Sequence, residues 1–280
     1  MASKQTAPRQ NHMPIDTPDE GFAAGVAVAS GENGIPDAAG TTGTAGTAGE
    51  NQAASENIKP VQLAVFDFDG TSITGNSPVL LVRHLYEHKM LALPVLCKIL
   101  LWAVAYKCRL PQRESWVRGL VFTAFCGKPQ EDVDQFLYDF YDEKIESRFR
   151  HDAEAAMRTH TAAGHVVIVV SATFEPIVMR AMELHPFGLQ VSTRMHVDDK
   201  GAYTCEVEGQ PVEGAEKLFA IQRFADGAYG EGNWELACAY GDHHSDRPLL
   251  LAACHAFAVT PDNPLKRTAK GKGWEILAWS

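Results

Sequence analysis

The stretch Val61-Gln62-Leu63-Ala64-Val65-Phe66-Asp67-Phe68-Asp69-Gly70-Thr71 decides how this chain reads. Its first half is a short continuous apolar run, the pattern of a strand buried on both faces, and Asp67 to Thr71 has the polar and glycine content of a turn. Two further runs repeat the design. His165-Val166-Val167-Ile168-Val169-Val170 ends in Ser171-Ala172-Thr173, and residues 236–240 end in Gly241-Asp242. A fourth run covers 256–260. Helical patterns fall between them, at about 153–163, 175–184 and 215–224, while 190–210 alternate polar and apolar around Asp198-Asp199-Lys200-Gly201, as a β-hairpin would. Apolar strands separated by helices predict an α/β fold with a parallel sheet covered on both faces. Such sheets bind ligands beyond the carboxyl ends of their strands, and three of these strands end in residues suited to phosphate or metal.

Asp67 and Asp69 are two apart in extended chain, so both carboxylates can face one site. Such a pair can divide labour, one attacking phosphorus and binding metal, the other moving a proton to the leaving oxygen and later from water. Gly70 lets the backbone approach an anion, and the turn's N–H groups, with Thr71, can hold phosphate oxygens. An Asx-rich turn would read the same way. Asp242 and Asp246 offer hard oxygen ligands suited to Mg²⁺, although acids at a helix start would also complement its dipole. Adjacent His243 and His244 cannot easily share one tetrahedral ion, which disfavours zinc. Ser171 follows a strand and opens a helix, as a phosphate ligand or an N-cap. Lys217, early in its helix, could meet a phosphoryl oxygen, whereas a lone lysine is ordinarily a solvated surface group.

The 280 residues carry a net charge of −10 and 45% apolar residues, enough for a real core. Residues 1–58 hold Lys4 and Arg9 against Asp16, Asp19, Glu20, Glu32, Asp37, Glu50 and Glu56, so half of that charge sits in about a fifth of the chain. This segment, rich in Ala, Gly and Thr, lacks the apolar content to form a core and is expected to be a disordered tail. Neither half is basic, which disfavours nucleic acid as a partner. Six cysteines without a CxxC pair read as reduced thiols of a cytoplasmic protein, and the first 58 residues contain no apolar run of signal-peptide length.

In order and strand context, Asp67-Phe68-Asp69-Gly70-Thr71, Ser171, Lys217 and Gly241-Asp242…Asp246 resemble the four motifs of the haloacid dehalogenase-like superfamily. The long helical insert after the first motif, with Ala258-Val259-Thr260-Pro261-Asp262 near the end, is similar to its phosphoserine-phosphatase-like branch. The resemblance covers about 61–280. It implies a Rossmann-like core at 59–76 and 150–280, with a helical-bundle cap inserted at 77–149. It further implies a Mg²⁺-dependent phosphatase: Asp67 as nucleophile and metal ligand, Asp69 as acid/base and metal ligand through its carbonyl, Asp242 and Asp246 completing the metal site. Gly70, Thr71, Ser171 and Lys217 would hold phosphate. Ser72 and His243 depart from the pattern, where an apolar residue and a Ser are usual. Phe68 stands where the P-type ATPase branch carries Lys, and Asp69 separates the chain from true dehalogenases.

The cap's first part, residues 91–106, is apolar apart from Lys98 and flanked by His88, Lys89, Lys107 and Arg109. At this length it is short for a membrane span; a buried cap helix is the first expectation and a helix lying on a bilayer the second. The expected substrate is a small phosphorylated metabolite. The alternatives are a lipid phosphate, as in phosphatidylglycerophosphate phosphatases of the same branch, taken through peripheral membrane contact, and a non-catalytic phosphate-binding module. Arg113 and Arg118 are cap cations that could reach the substrate.

Overall fold

In the computed structural model the described residues are 59–91, 93–107 and 120–280, with side chains at 100 and 102–107 left aside. The expected tail at 1–58 and Cys108, Arg113 and Arg118 lie outside them.

Strand β1 (Val61–Asp67) is followed by helices α1 (Ser77–Glu87), α2 (Leu93–Lys107), a helical turn at 120–122 and α3 (Gln130–Lys144). Then come α4 (His151–Ala162), β2 (Val166–Phe174), α5 (Glu175–Leu184), β3 (Leu189–Thr193), β4 (Met195–Val197) and β5 (Tyr203–Val207). The chain ends with α6 (Ala215–Tyr229), β6 (Trp234–Gly241), α7 (Arg247–Ala252), β7 (His255–Val259), α8 (Asn263–Lys272) and β8 (Glu275–Leu277). Six strands form one sheet in the order β3-β2-β1-β6-β7-β8, and each of its pairs is parallel. The α/β class expected from sequence is therefore observed.

The double burial of β1 explains its continuous apolar run. Leu63 and Val65 join one apolar cluster with Ile221 and Phe224 of α6, Leu249 and Leu250 of α7 and Leu265 of α8. Ala64 and Phe66 join the opposite cluster, with Met157 of α4, Ile177 of α5 and Leu137 and Phe140 of α3. Successive strands run outward on one side of β1 and then on the other, so the order reverses between β1 and β6. The ligand crevice of such sheets opens there, at the carboxyl ends of these strands.

Three expectations need correction. Residues 189–193 are not part of a hairpin: β3 pairs in parallel with β2, and only β4 and β5 form the antiparallel pair. Ser171 does not open a helix. It lies within β2, which runs on through an irregularity to Phe174, so α5 starts four residues later. Cys126 and Cys205, 79 residues apart, are joined as a disulfide and are not reduced thiols. The segment at 127–130 is hydrogen-bonded along β5 and its turn (Gly127 N to Tyr203 O 2.7 Å, Tyr203 N to Lys128 O 2.9 Å, Gln130 N to Gly201 O 2.9 Å), which brings the two sulfurs together.

The two ends of the inserted helices pass side by side. Ile73 bridges Phe149, Thr74 N donates to Arg148 O and Arg150 N to Ser72 O, both at 2.9 Å. Within the insert, Leu91 and Ile99 are buried, whereas Leu93 and Leu101 are 61% and 72% exposed. Among the described residues no helix is long and apolar enough to cross a membrane.

Candidate active site

Asp67 is the last residue of β1 and is buried. Its Oδ1 accepts from Lys217 Nζ at 2.6 Å and its Oδ2 from Thr71 Oγ1 at 3.2 Å. Lys217 comes from the first turn of α6, following Gly214 at its N-cap, and its ammonium also donates to Asp246 Oδ1 at 2.6 Å. It is buried, not the solvated lysine that a lone residue suggests. Asp246 has no exposure, and its Oδ2 accepts from the His243 backbone N–H at 3.3 Å, closing the turn that starts α7. One oxygen each of Asp67, Asp242 and Asp246 lie within 4.8 Å of one another. The positive φ of Gly70 brings its backbone so close to Asp242 that an added Cβ would stand 2.1 Å from Asp242 Oδ2. Any side chain at Gly70 would fill this cradle.

Three carboxylates against one ammonium leave two negative charges in a largely buried space. Burial, and then Asp246 and Asp242, push the Asp67 carboxyl up against the pull of Lys217. Burial and Asp246 push Asp242 up to about 7. Lys217 is held charged by the two carboxylates despite burial, which alone would favour its neutral form. An oxygen-only set with excess negative charge fits a hard divalent cation.

Asp69 points elsewhere. Its Oδ1 accepts from the Ser77 backbone N–H and its Oδ2 from Ser77 Oγ at 3.0 Å, and Ser77 Oγ also lies 2.9 Å from Thr173 Oγ1. Burial raises the Asp69 carboxyl above its ordinary value, while the Ser77 bonds act to lower it. The strand register pairs Asp67 with Val170, so Ser171 stands one residue further out on the neighbouring strand. It is buried, and its Oγ accepts from Thr173 N at 3.0 Å.

A family model of haloacid dehalogenase-like hydrolases matches residues 64–251. The chain belongs to this family. It is a hydrolase of the phosphatase type, as the motif order implied. Among its relatives, an "Inhibition of morphological differentiation protein" of Streptomyces azureus is 28% identical over 78% of each chain. A phosphoserine phosphatase of Mycobacterium tuberculosis is 26% identical over 80% of this chain and 74% of its own length. A structure from Bordetella pertussis, of a protein of unknown function, superposes with a TM-score of 0.70 at 21% identity, covering 79% of this chain and 99% of that one. A phosphoserine phosphatase captured as a phospho-aspartyl intermediate analogue gives a TM-score of 0.52 at 23% identity, covering 78% and 93%. At these identities the two structures speak for the fold alone.

Within this family frame, the two departures from the motif have visible contacts. Ser72 Oγ donates to Asp67 O at 2.6 Å, bracing the turn where an apolar side chain would only fill space. His243 Nδ1 lies 3.0 Å from Ser245 Oγ, and one nitrogen each of His243 and His244 comes within 4.8 Å of an Asp262 oxygen. The two histidines thus meet at a shared acid, each with a ring nitrogen 3.5 Å from Asp262 Oδ2. This trio is separate from the cluster of Asp67, Asp242 and Asp246.

Sequence reasoning missed Ser77, Thr173 and Arg150. Arg150 donates through its guanidinium to Gly70 O (3.2 Å) and Trp279 O (2.8 Å), tying the Asp67 turn to the chain's end. Asn76-Ser77-Pro78 carried a helix-start signal, since Asn76 caps α1 and Pro78 occupies its first turn. Such a signal could find Ser77 at a helix N-terminus but not the docking of Asp69 on it.

Proposed function

We propose that the chain is a Mg²⁺-dependent phosphomonoesterase that works through an aspartyl-phosphate on Asp67 and acts on a small phosphorylated metabolite. The observation that carries this reading is the largely buried group of Asp67, Asp242 and Asp246, two of them bonded to Lys217. Asp67, Asp242 and the Asp69 carbonyl would hold Mg²⁺, with Asp246 joining directly or through water. When bound, the cation supplies charge neutralisation around the transferring phosphoryl group.

Asp67 Oδ2 carries only the longer bond from Thr71 and is the freer oxygen for attack on phosphorus. As the new O–P bond forms, the bond to the leaving oxygen breaks, and Asp69 gives that oxygen its proton. Burial, which favours the protonated carboxyl, equips Asp69 for this step. Water then attacks phosphorus while Asp69 takes its proton. The Asp67–phosphorus bond breaks, releasing phosphate and restoring the carboxylate. Lys217 orients Asp67 and offsets charge on the phosphoryl oxygens, with Gly70, Thr71 and Ser171 as further phosphate contacts. The helices inserted at 77–149 would act as the cap that selects the leaving group. The name of the mycobacterial relative favours phosphoserine or a similar metabolite.

A second reading is a lipid phosphate taken at a membrane surface. It is favoured by the exposure of Leu93 and Leu101 on α2 beside exposed Lys89 and Lys98. Hydrolysis of amino-acid, sugar, nucleotide and lipid phosphates, assayed with Mg²⁺ and with EDTA, tests both. Phosphate release from a soluble ester is expected, lost with EDTA and lowered at least about a thousandfold by Asp67→Asn. Full activity in that variant would overturn the mechanism, and turnover of lipid phosphates alone would select the second reading.

A further inference from the structure

Three soft ligand groups meet on the α4 side of the sheet, apart from the carboxylates. His160 lies in the last turn of α4, His165 immediately precedes β2, and Cys238 lies within β6. A ring nitrogen of each histidine and Cys238 Sγ are all within 4.8 Å of one another. The two imidazoles face each other through Nδ1 at 2.9 Å. His160 Nε2 is 2.8 Å from the Tyr240 hydroxyl, and the Tyr240 ring is stacked between Phe66 at 4.2 Å and Phe257 at 4.5 Å. Cys238 and Tyr240, two apart on one strand, project to the same face. Cys238 is buried while both histidines are half-buried, so the group can be reached from solvent. Four residues of strand, roughly 13 Å at about 3.3 Å each, separate Cys238 from Asp242.

We propose that His160, His165 and Cys238 form a second metal site, for a borderline-soft divalent cation of the zinc class, with a fourth position left to water. Two imidazoles and a thiolate within 4.8 Å of one another suit such a cation better than Mg²⁺. Histidines that bind metal usually give their other N–H to an outer partner, which fixes the tautomer. The Tyr240 hydroxyl can accept the His160 Nε2 proton, turning the Nδ1 lone pair toward His165. With Zn–N bonds of about 2.0–2.1 Å, tetrahedral geometry puts the two nitrogens about 3.3 Å apart, so the present contact need widen by only a few tenths of an ångström.

The proton balance is definite. Without metal, one Nδ1 carries the proton of the His160–His165 hydrogen bond, and burial keeps the Cys238 thiol protonated. Binding forms two metal–nitrogen bonds and one metal–sulfur bond; the proton displaced from Nδ1 is replaced at Nε2 of the same ring, so the net release to water is the one thiol proton, and affinity rises with pH. Burial and His165 already lower the His160 pKa and favour its neutral, ligating form.

Cobalt(II) provides the test, because a thiolate bound to Co²⁺ gives a near-ultraviolet charge-transfer band that oxygen and imidazole ligands do not. The full chain carrying Cys97→Ser, Cys108→Ser and Cys254→Ser is titrated in excess Mg²⁺ without reductant, so that Cys126 and Cys205 stay joined. One equivalent of Co²⁺ should produce the band, and Zn²⁺ should displace it. Cys238→Ser should abolish it. His165→Ala, at a half-exposed position less prone to misfolding, should weaken binding at least tenfold. Tyr240→Phe should weaken it by about tenfold, at the lower end of outer-partner effects. None of the three should change Mg²⁺-supported phosphate release. Absence of the band, its survival in Cys238→Ser, or unchanged affinity in His165→Ala overturns the proposal. A sulfur-free cobalt spectrum would assign the ion to His243, His244 and Asp262 and equally overturn it.

Discussion

At the carboxyl ends of β1 and β6, Asp67, Asp69 and Asp246 each have both oxygens engaged by named donors, whereas α2 leaves leucines standing in solvent. The first region is over-determined: moving any one of these carboxylates breaks two hydrogen bonds. The second is buried at Ile99 and open at Leu93 and Leu101. Preorganised charge serves bond-making, which tolerates little displacement, while an open apolar surface serves recognition, which can vary without disturbing it.

The sharpest way to break this contrast is to disturb Asp69 while leaving Asp67 intact. Asp69→Asn is expected to lower kcat about 10²–10⁴-fold, the usual range for a lost general acid–base. Rapid-quench labelling should find phosphorylated protein building up, since hydrolysis also needs the base. Ser77→Ala should cost less, about tenfold, by removing the hydroxyl donor to Asp69 Oδ2 while the backbone N–H to Oδ1 remains. The hydroxyl bond lowers the Asp69 pKa, so in pH–rate measurements the limb titrating with Asp69 should move to higher pH. An unmoved limb would make Ser77 merely structural.

Asp242→Asn tests the same region through stability. Its carboxyl is pushed up to about 7, so in metal-free protein the folded state resists its ionisation. The penalty is absent well below the ordinary carboxylate value, grows as pH rises through the interval up to about 7, and is constant above it. Removing the charge should stabilise EDTA-treated protein at pH 8 by on the order of 1–3 kcal/mol, several degrees in Tm, with the gain vanishing toward pH 4. Calorimetry at both pH values checks this, and equal gains at the two would refute the electrostatic cause. The smallest expected effect lies on α2. Leu93→Glu with Leu101→Glu should change turnover of a soluble ester less than about twofold, as exposed substitutions usually perturb little. Loss of salt-sensitive sedimentation with anionic vesicles in that variant would instead make the open edge a membrane contact.

The Asp67 turn was readable because its information is local: one apolar strand, two acids and a glycine within eleven residues. Asp242, Asp246 and Lys217 became readable as a set only through motif order, since their convergence is a property of the sheet's reversal. β3 misled because its polar residues are satisfied inside the protein. Gln190 donates to Glu175 at 3.2 Å and Ser192 to Gln190, so both are buried in a strand whose alternation looks solvent-facing. Ser171 misled because β2 continues past it through an irregularity that no local pattern announces. The Cys126–Cys205 bond and the docking of Asp69 on Ser77 depend on contacts between separate elements, which residue spacing does not encode.

The seam between residues 127–130 and β5 has a mechanical consequence. The inserted helices are fastened at one margin where residues 72–74 meet 148–150, and at another where Cys126 and its neighbours grip the hairpin. The Tyr203 hydroxyl adds a bond to Asp134 of α3 at 2.6 Å on that second margin. Arg180 of α5 makes a third fastening, its guanidinium donating to the two oxygens of Asp142 on α3 at 2.9 and 3.0 Å. A body held at two points can still swing about the line between them, but a body held at three separate margins has no axle left. Helix α3 therefore travels with the sheet that carries it.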